Sequence, residues 1–126
     1  MKLLRGPLGY VLVALAAVLP HLPGLGGEFL WGDDEAVVVP LMQRTLPGLL
    51  ELWVNPFIGQ QYYPVSHTLF WWETVTFPGE PRPYHVVSLL LHLLCALAAM
   101  RVLKGLGMPG VTGVLAAAAF ALHPLN

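Results

Sequence analysis

Two stretches of this chain, Leu8 to about Leu25 and Tyr84 to about Met100, contain no Asp, Glu, Lys or Arg. A helix needs about 20 mostly apolar residues to cross a hydrocarbon core roughly 30 Å thick, and both stretches approach that length. Backbone in lipid must satisfy its own hydrogen bonds, and these runs are too long and too uniformly apolar for barrel strands, so they read as helices. The sequence therefore predicts an all-α membrane protein. Composition agrees: 56% of residues are hydrophobic, 10% are charged and the mean hydropathy is +0.68, far from the averages of soluble domains. A third apolar stretch, Val111 to Leu122, is short, rich in alanine and followed directly by His123, Pro124, Leu125 and Asn126. The expectation is the N-terminal part of something longer, with about three transmembrane helices of a truncated bundle. Its parts are a first transmembrane helix over 1–25, an external loop over 26–83, a second transmembrane helix over 84–103, and a cytoplasmic turn with a truncated third helix over 104–126.

The charges set the expected topology. All seven acids lie from Glu28 to Glu80, between the two long apolar stretches, whereas Lys2 and Arg5 precede the first and Arg101 and Lys104 follow the second. Basic residues near helix ends stay cytoplasmic, so the N-terminus and the turn after Arg101 belong inside and the long loop outside. A carboxylate at mid-bilayer would cost about 2.5 to 3.5 kcal/mol on insertion scales, which keeps that loop out of lipid. The formal net charge of −1, with six Lys and Arg scattered along the chain, excludes a nucleic-acid binder, which needs a clustered basic face. Cys95 is the single cysteine, so no internal disulfide braces the chain. Lys2, Arg5 and the Gly24-Leu25-Gly26 tripeptide also resemble a cleaved signal peptide, but Pro20, Pro23 and the length of the apolar run weigh against it. The loop is external on either reading.

Eleven of the thirteen aromatic residues fall between Phe29 and Tyr84, and Trp and Tyr favour the membrane interface, so the loop is expected to lie against the bilayer. Within it, Ser66 is placed to cap a short helix running to about Thr76, with Leu69, Phe70, Trp71 and Val75 apolar and Glu73 facing water. A second short helix is expected from Pro47 to Trp53, because proline is tolerated in a first turn.

Three groups of residues can carry chemistry. Asp33, Asp34 and Glu35 are consecutive carboxylates just past the first apolar stretch. Like charges this close raise one another's proton affinity, as base chemistry near neutral pH requires, and clustered carboxylates can also hold a divalent cation. A solvated acidic turn or a helix cap is the other reading of the same spacing. Tyr62 and Tyr63, following Gln60 and Gln61, offer aromatic faces and amides of the kind that bind a sugar or a polar headgroup. His85 and His92 are seven apart and so share a helical face, and His123 follows the third apolar stretch. Histidines without cysteine and without ligand spacing do not form a zinc site, so no metal centre is assigned to them.

The order of these motifs is more specific than any one of them. Trp31-Gly32-Asp33-Asp34-Glu35 is followed by Asn55-Pro56 and then by Tyr62-Tyr63-Pro64-Val65-Ser66-His67-Thr68, which leads into Phe70-Trp71-Trp72-Glu73. After these come Pro83-Tyr84-His85 through His92, and finally Phe120-Ala121-Leu122-His123-Pro124. Over essentially its whole length the chain resembles the start of bacterial multi-pass membrane proteins that join a GT-C type glycosyltransferase domain to C-terminal tetratricopeptide repeats. These are similar to the transmembrane and tetratricopeptide-repeat O-mannosyltransferases. The resemblance implies an enzyme of the bacterial inner membrane that moves a sugar from a polyprenyl-phosphate donor to an acceptor hydroxyl, on protein Ser or Thr or on a glycan, at the external face. It also implies that the acidic pair is catalytic, as Asp33 and Asp34 or as Asp34 and Glu35, with Asp34 common to both registers and acting as general base. Tyr62, Tyr63, His85 and His123 would then contact substrate.

Two positions depart from the pattern. Tyr63 stands where many relatives have arginine, and Ser88 where the histidine helix often has asparagine; arginine would be a natural phosphate clamp. The fragment alone is expected to be inactive. From another functional class, a non-catalytic membrane anchor and scaffold for protein interactions through the repeats fits the same apolar pattern. A small transporter using His85 and His92 as a proton path is a third reading.

Overall fold

The computed structural model describes residues 6–29, 44–57 and 62–123. Among them every regular element is helical. Helix α1 (Pro7–Val18) continues into a 3-10 helix (Leu19–Gly26); α2 (Leu46–Val54) and α3 (Pro64–Thr76) are short; α4 (Pro81–Gly105) is long; and α5 (Gly110–Ala121) closes the order. The chain divides into two compact units, one formed by Met1–Gly26 with His85–Asn126 and the other by Gly27–Tyr84.

Two helical stretches are long and apolar enough to cross a membrane: Pro7–Gly26, 20 residues at a mean hydropathy of 1.8, and Pro81–Gly105, 25 residues at 2.2. Pro7 sits in the first turn of α1, where its missing N–H is no loss. Pro20 and Pro23 then remove donors that α-helical bonding would need, and the chain tightens into 3-10 geometry, which rises about 2 Å per residue. The tightening lengthens the span to about 34 Å, enough for a bilayer core despite only 12 α-helical residues. At 25 residues α4 is longer at both ends than the expected 84–103. Helix α5, with 12 residues, reaches only about 18 Å.

In the first unit α1, α4 and α5 share one core of Val13, Ala17, Ala96, Met100, Val114, Ala117 and Ala121. The small side chains recur every three or four residues, as Gly9, Val13 and Ala17 on α1 and Gly110, Gly113, Ala117 and Ala121 on α5. Such stripes let helix backbones approach where no hydrophobic drive separates helix from lipid. Leu8, Leu12, Leu15, Leu90, Leu94 and Leu115 point outward and exposed, as lipid-facing side chains would. Gly107 ends α4 at φ +79, with Met108 N–H donating to the Leu103 carbonyl and Gly107 N–H to that of Lys104. This paired pattern needs a left-handed residue, which glycine supplies without strain. Lys104 Nζ lies 3.9 Å from the Tyr10 ring centroid, so the start of α1 and the finish of α4 share one end of the unit.

The second unit is tied by polar contacts. Thr45 caps α2, its hydroxyl accepting from Gly48 N–H at 3.2 Å. Trp53 Nε1 on α2 donates to the Thr68 hydroxyl on α3 at 2.9 Å, and that hydroxyl donates to the Pro64 carbonyl at 2.7 Å. The α3 helix opens at Pro64, with Tyr63 in the cap position and no side-chain cap, instead of at Ser66 as expected. Proline's fixed φ moves the cap from the expected Ser66 to Tyr63, three residues earlier. The Tyr84 hydroxyl donates to Thr74 Oγ1 at 2.9 Å, and the Phe29 ring meets Tyr84 edge-on at 5.4 Å. Glu73 overturns its expected orientation. It is 1% exposed, because the face of α3 turned inward is the one bearing Glu73 and Thr74, while Trp72 and Val75 are exposed.

Candidate functional site

A cavity of about 240 Å³ opens in the first unit at the end opposite Lys104. Its polar lining is His21 from the 3-10 helix and His85, Ser88 and His92 from α4; Gly24, Leu25 and Leu89 complete it. On α4 the polar positions fall at i, i+3 and i+7, one helical stripe reaching about 10 Å along the axis. The tight winding that follows Pro20 carries His21 to that stripe, and the two imidazoles meet edge to face with centroids 5.2 Å apart.

His92 is held at the inner end. Its Nε2 lies 3.0 Å from the Ala121 carbonyl oxygen, and its ring stacks on Phe120 at 6.2 Å and 25°. A carbonyl only accepts, so Nε2 carries the proton and, in the neutral ring, Nδ1 remains as an acceptor. Pinned in this way, His92 packs α4 against the last turn of α5 while presenting imidazole to the cavity.

The chemistry of this unit is lopsided. Residues 1–26 and 85–126 contain no Asp or Glu at all, and the cavity's polar side chains are three imidazoles and a hydroxyl. Imidazoles can donate to an oxyanion, and the unit's own sequence supplies no carboxylate side chain to oppose one. Sites for drug-sized ligands typically run from roughly 300 to 1,000 Å³, so this one matches something smaller, on the scale of a phosphate group or one sugar ring.

The other sequence-derived candidates are distributed as follows. Asp33, Asp34 and Glu35, and with them the divalent-cation reading, lie outside the described residues, as do Gln60 and Gln61. Tyr62 and Tyr63 precede α3 in the second unit, both exposed, with the Tyr62 hydroxyl donating to the Trp53 carbonyl at 2.7 Å. His123 follows α5, exposed, and does not line the cavity; its backbone N–H donates to the Phe120 carbonyl at 3.1 Å. His85 and His92 do share a face and a cavity, as their spacing predicts.

Two groups escaped the sequence reading. His21 joins the other histidines through the proline-driven change of helix type, and its only signal was an imidazole at the end of an apolar span. Glu73 is the other: burial alone pushes its carboxyl from the ordinary 4.5 up to about 7.

Comparison with known proteins gives one direction. The chain is similar to a Caenorhabditis elegans protein O-mannosyl-transferase, 27% identical over an alignment of 96 residues that covers 69% of this chain and 14% of that protein. It thus spans about one seventh of the length of that relative. No protein-family model matches the chain, and no solved structure matches it.

Proposed function

We propose that the chain is the N-terminal part of a membrane glycosyltransferase that takes a sugar from a polyprenyl-phosphate donor and passes it to an acceptor hydroxyl, on protein Ser or Thr or on a glycan. The reaction would take place at the external face of a bacterial inner membrane, with the N-terminus cytoplasmic. The observation that carries this reading is the imidazole-lined, carboxylate-free cavity between apolar helices, sized for a phosphate group or one sugar ring. Similarity to an O-mannosyl-transferase supports a glycosyl-transfer role in general.

In this reading His21, His85 and Ser88 donate hydrogen bonds to the donor phosphate, and the spans hold its polyprenyl chain. Asp34, assisted by Asp33 or Glu35, takes the proton of the acceptor hydroxyl. The freed oxygen pair forms the new bond to the anomeric carbon as the bond from that carbon to the phosphate oxygen breaks, and the phosphate leaves with that electron pair. Attack opposite the leaving group inverts the anomeric centre. Tyr62 and Tyr63 offer faces for the acceptor or the sugar.

The test is Asp34→Asn in the full-length protein, assayed for sugar transfer from a polyprenyl-phosphate donor. Loss of transfer with donor binding retained is the expected result; undiminished transfer would remove Asp34 from the role.

A further inference from the structure

Glu73 is the largest fully buried side chain described in the Gly27–Tyr84 unit, and among the described residues neither of its carboxyl oxygens has a hydrogen-bond partner. Trp71 Nε1, on the same helix, is likewise buried without a partner. Buried polar groups are nearly always paired, so two orphans within three residues of one short helix mark a segment whose closed packing is conditional. Their neighbour Thr74 is satisfied, by Tyr84 at 2.9 Å, so α3 is fastened beside the orphan carboxyl but not at it.

The titratable groups on the surrounding elements do not rescue it. These are Glu51 on α2, His67 on α3 itself, Glu80 in the turn that follows, and Arg82 and Tyr84 at the start of α4. None of them bonds to Glu73, and desolvation is the whole cause of its elevated proton affinity. A neutral carboxyl tolerates this position far better than a carboxylate, which would be a desolvated charge with no counter-ion.

We propose that Glu73 is a proton-operated latch on the Gly27–Tyr84 unit, holding α3 closed while the carboxyl keeps its proton and releasing it on ionisation. Closed, the group titrates near 7; exposed to water, it titrates near 4.5. Below the lower value both forms carry the proton and the closed form has its full advantage. Between the two values only the open form ionises, so the ratio of closed to open falls tenfold per pH unit. It levels off above 7, after a total fall of roughly 300-fold. The latch closes in acid and loosens toward neutral pH, and it is independent of the glycosyl-transfer reading.

The experiment is amide hydrogen exchange of α3 in the 126-residue chain held in lipid vesicles, from pH 5 to pH 8.5 and corrected for intrinsic exchange. Wild-type protection is expected to fall roughly 40-fold between pH 5 and 7 and only about twofold more above. Glu73→Gln, an uncharged mimic of the protonated side chain, is expected to stay protected throughout. Should that variant not fold, the infrared carbonyl stretch of the protonated carboxyl in the wild-type chain decides. The latch requires that band to persist at pH 6 and to vanish with a midpoint near 7. A Glu73→Gln profile that follows wild type, or a carboxyl already ionised at pH 6, overturns the proposal.

Discussion

The membrane body closes around small and apolar side chains, Val13, Ala17, Ala96, Met100, Val114, Ala117 and Ala121, whereas the Gly27–Tyr84 unit buries Glu73 and Thr74 beside Leu52 and Tyr84. The first contains no carboxylate anywhere in its sequence; the second contains all seven. In the body, close approach of backbones supplies the packing, and imidazoles and a hydroxyl are the cavity's polar side chains. In the loop unit, hydrogen bonds such as Trp53 to Thr68 and Tyr84 to Thr74 tie the helices, and a protonatable acid occupies the core. The contrast is one of composition: a body whose cavity takes its polar side chains from imidazoles and a hydroxyl, and a unit that carries every carboxyl side chain.

The largest expected effect separates chemistry from architecture. Asp34→Asn in the full-length protein should lower the rate of sugar transfer by roughly 10²- to 10⁴-fold, the span usual for losing a general base. Both units should keep their stability, which a denaturation series on the same variant checks.

Next in size is the pH response. The stability of the Gly27–Tyr84 unit should be greatest below pH 4.5 and fall by about 3 kcal/mol as pH rises to about 7, since only the unfolded form ionises in that window. Protease sensitivity of this unit against pH measures the loss, and Glu73→Gln should flatten it. The body contributes no carboxylate to that slope, because its sequence contains no Asp or Glu.

Breaking the body instead calls for crowding. Ala117→Leu, at a position 0% exposed in the three-helix core, should destabilise that unit by about 1 to 3 kcal/mol, read by thermal unfolding in detergent, while α2 and α3 keep their exchange protection. The smallest effect is Tyr84→Phe. It deletes the bond to Thr74 and should lower the stability of the loop unit by about 1 kcal/mol, seen as a modest shift in its unfolding midpoint.

How much of this was legible in the sequence depends on how local the cause is. The spans could be read because absence of charge over about 20 residues is a property of the chain itself. Helix α2 was placed to within a residue at each end, since Pro47 sits in the first turn and Thr45 precedes it. The start of α3 was misplaced because two signals competed, a capping hydroxyl at Ser66 and a proline at Pro64, and the proline prevailed. The orientation of Glu73 was misjudged for a deeper reason. Charge predicts exposure on average, but which face of a short, weakly amphipathic helix turns inward is settled by its partners, here through Thr74 and Tyr84. The pairing of His85 with His92 follows from a spacing of seven, while the arrival of His21 depends on the 3-10 winding that a proline pair imposes.

Recognition of phosphate by the cavity is the central proposal, and one binding measurement addresses it directly. A short-chain polyprenyl phosphate is titrated into the full-length protein in nanodiscs, beside the corresponding polyprenol, with His85→Ala and wild type compared. The account predicts saturable binding of the phosphate by wild type, clearly weaker binding by His85→Ala, and little binding of the alcohol by either. Equal affinity for alcohol and phosphate, unchanged by His85→Ala, would contradict it.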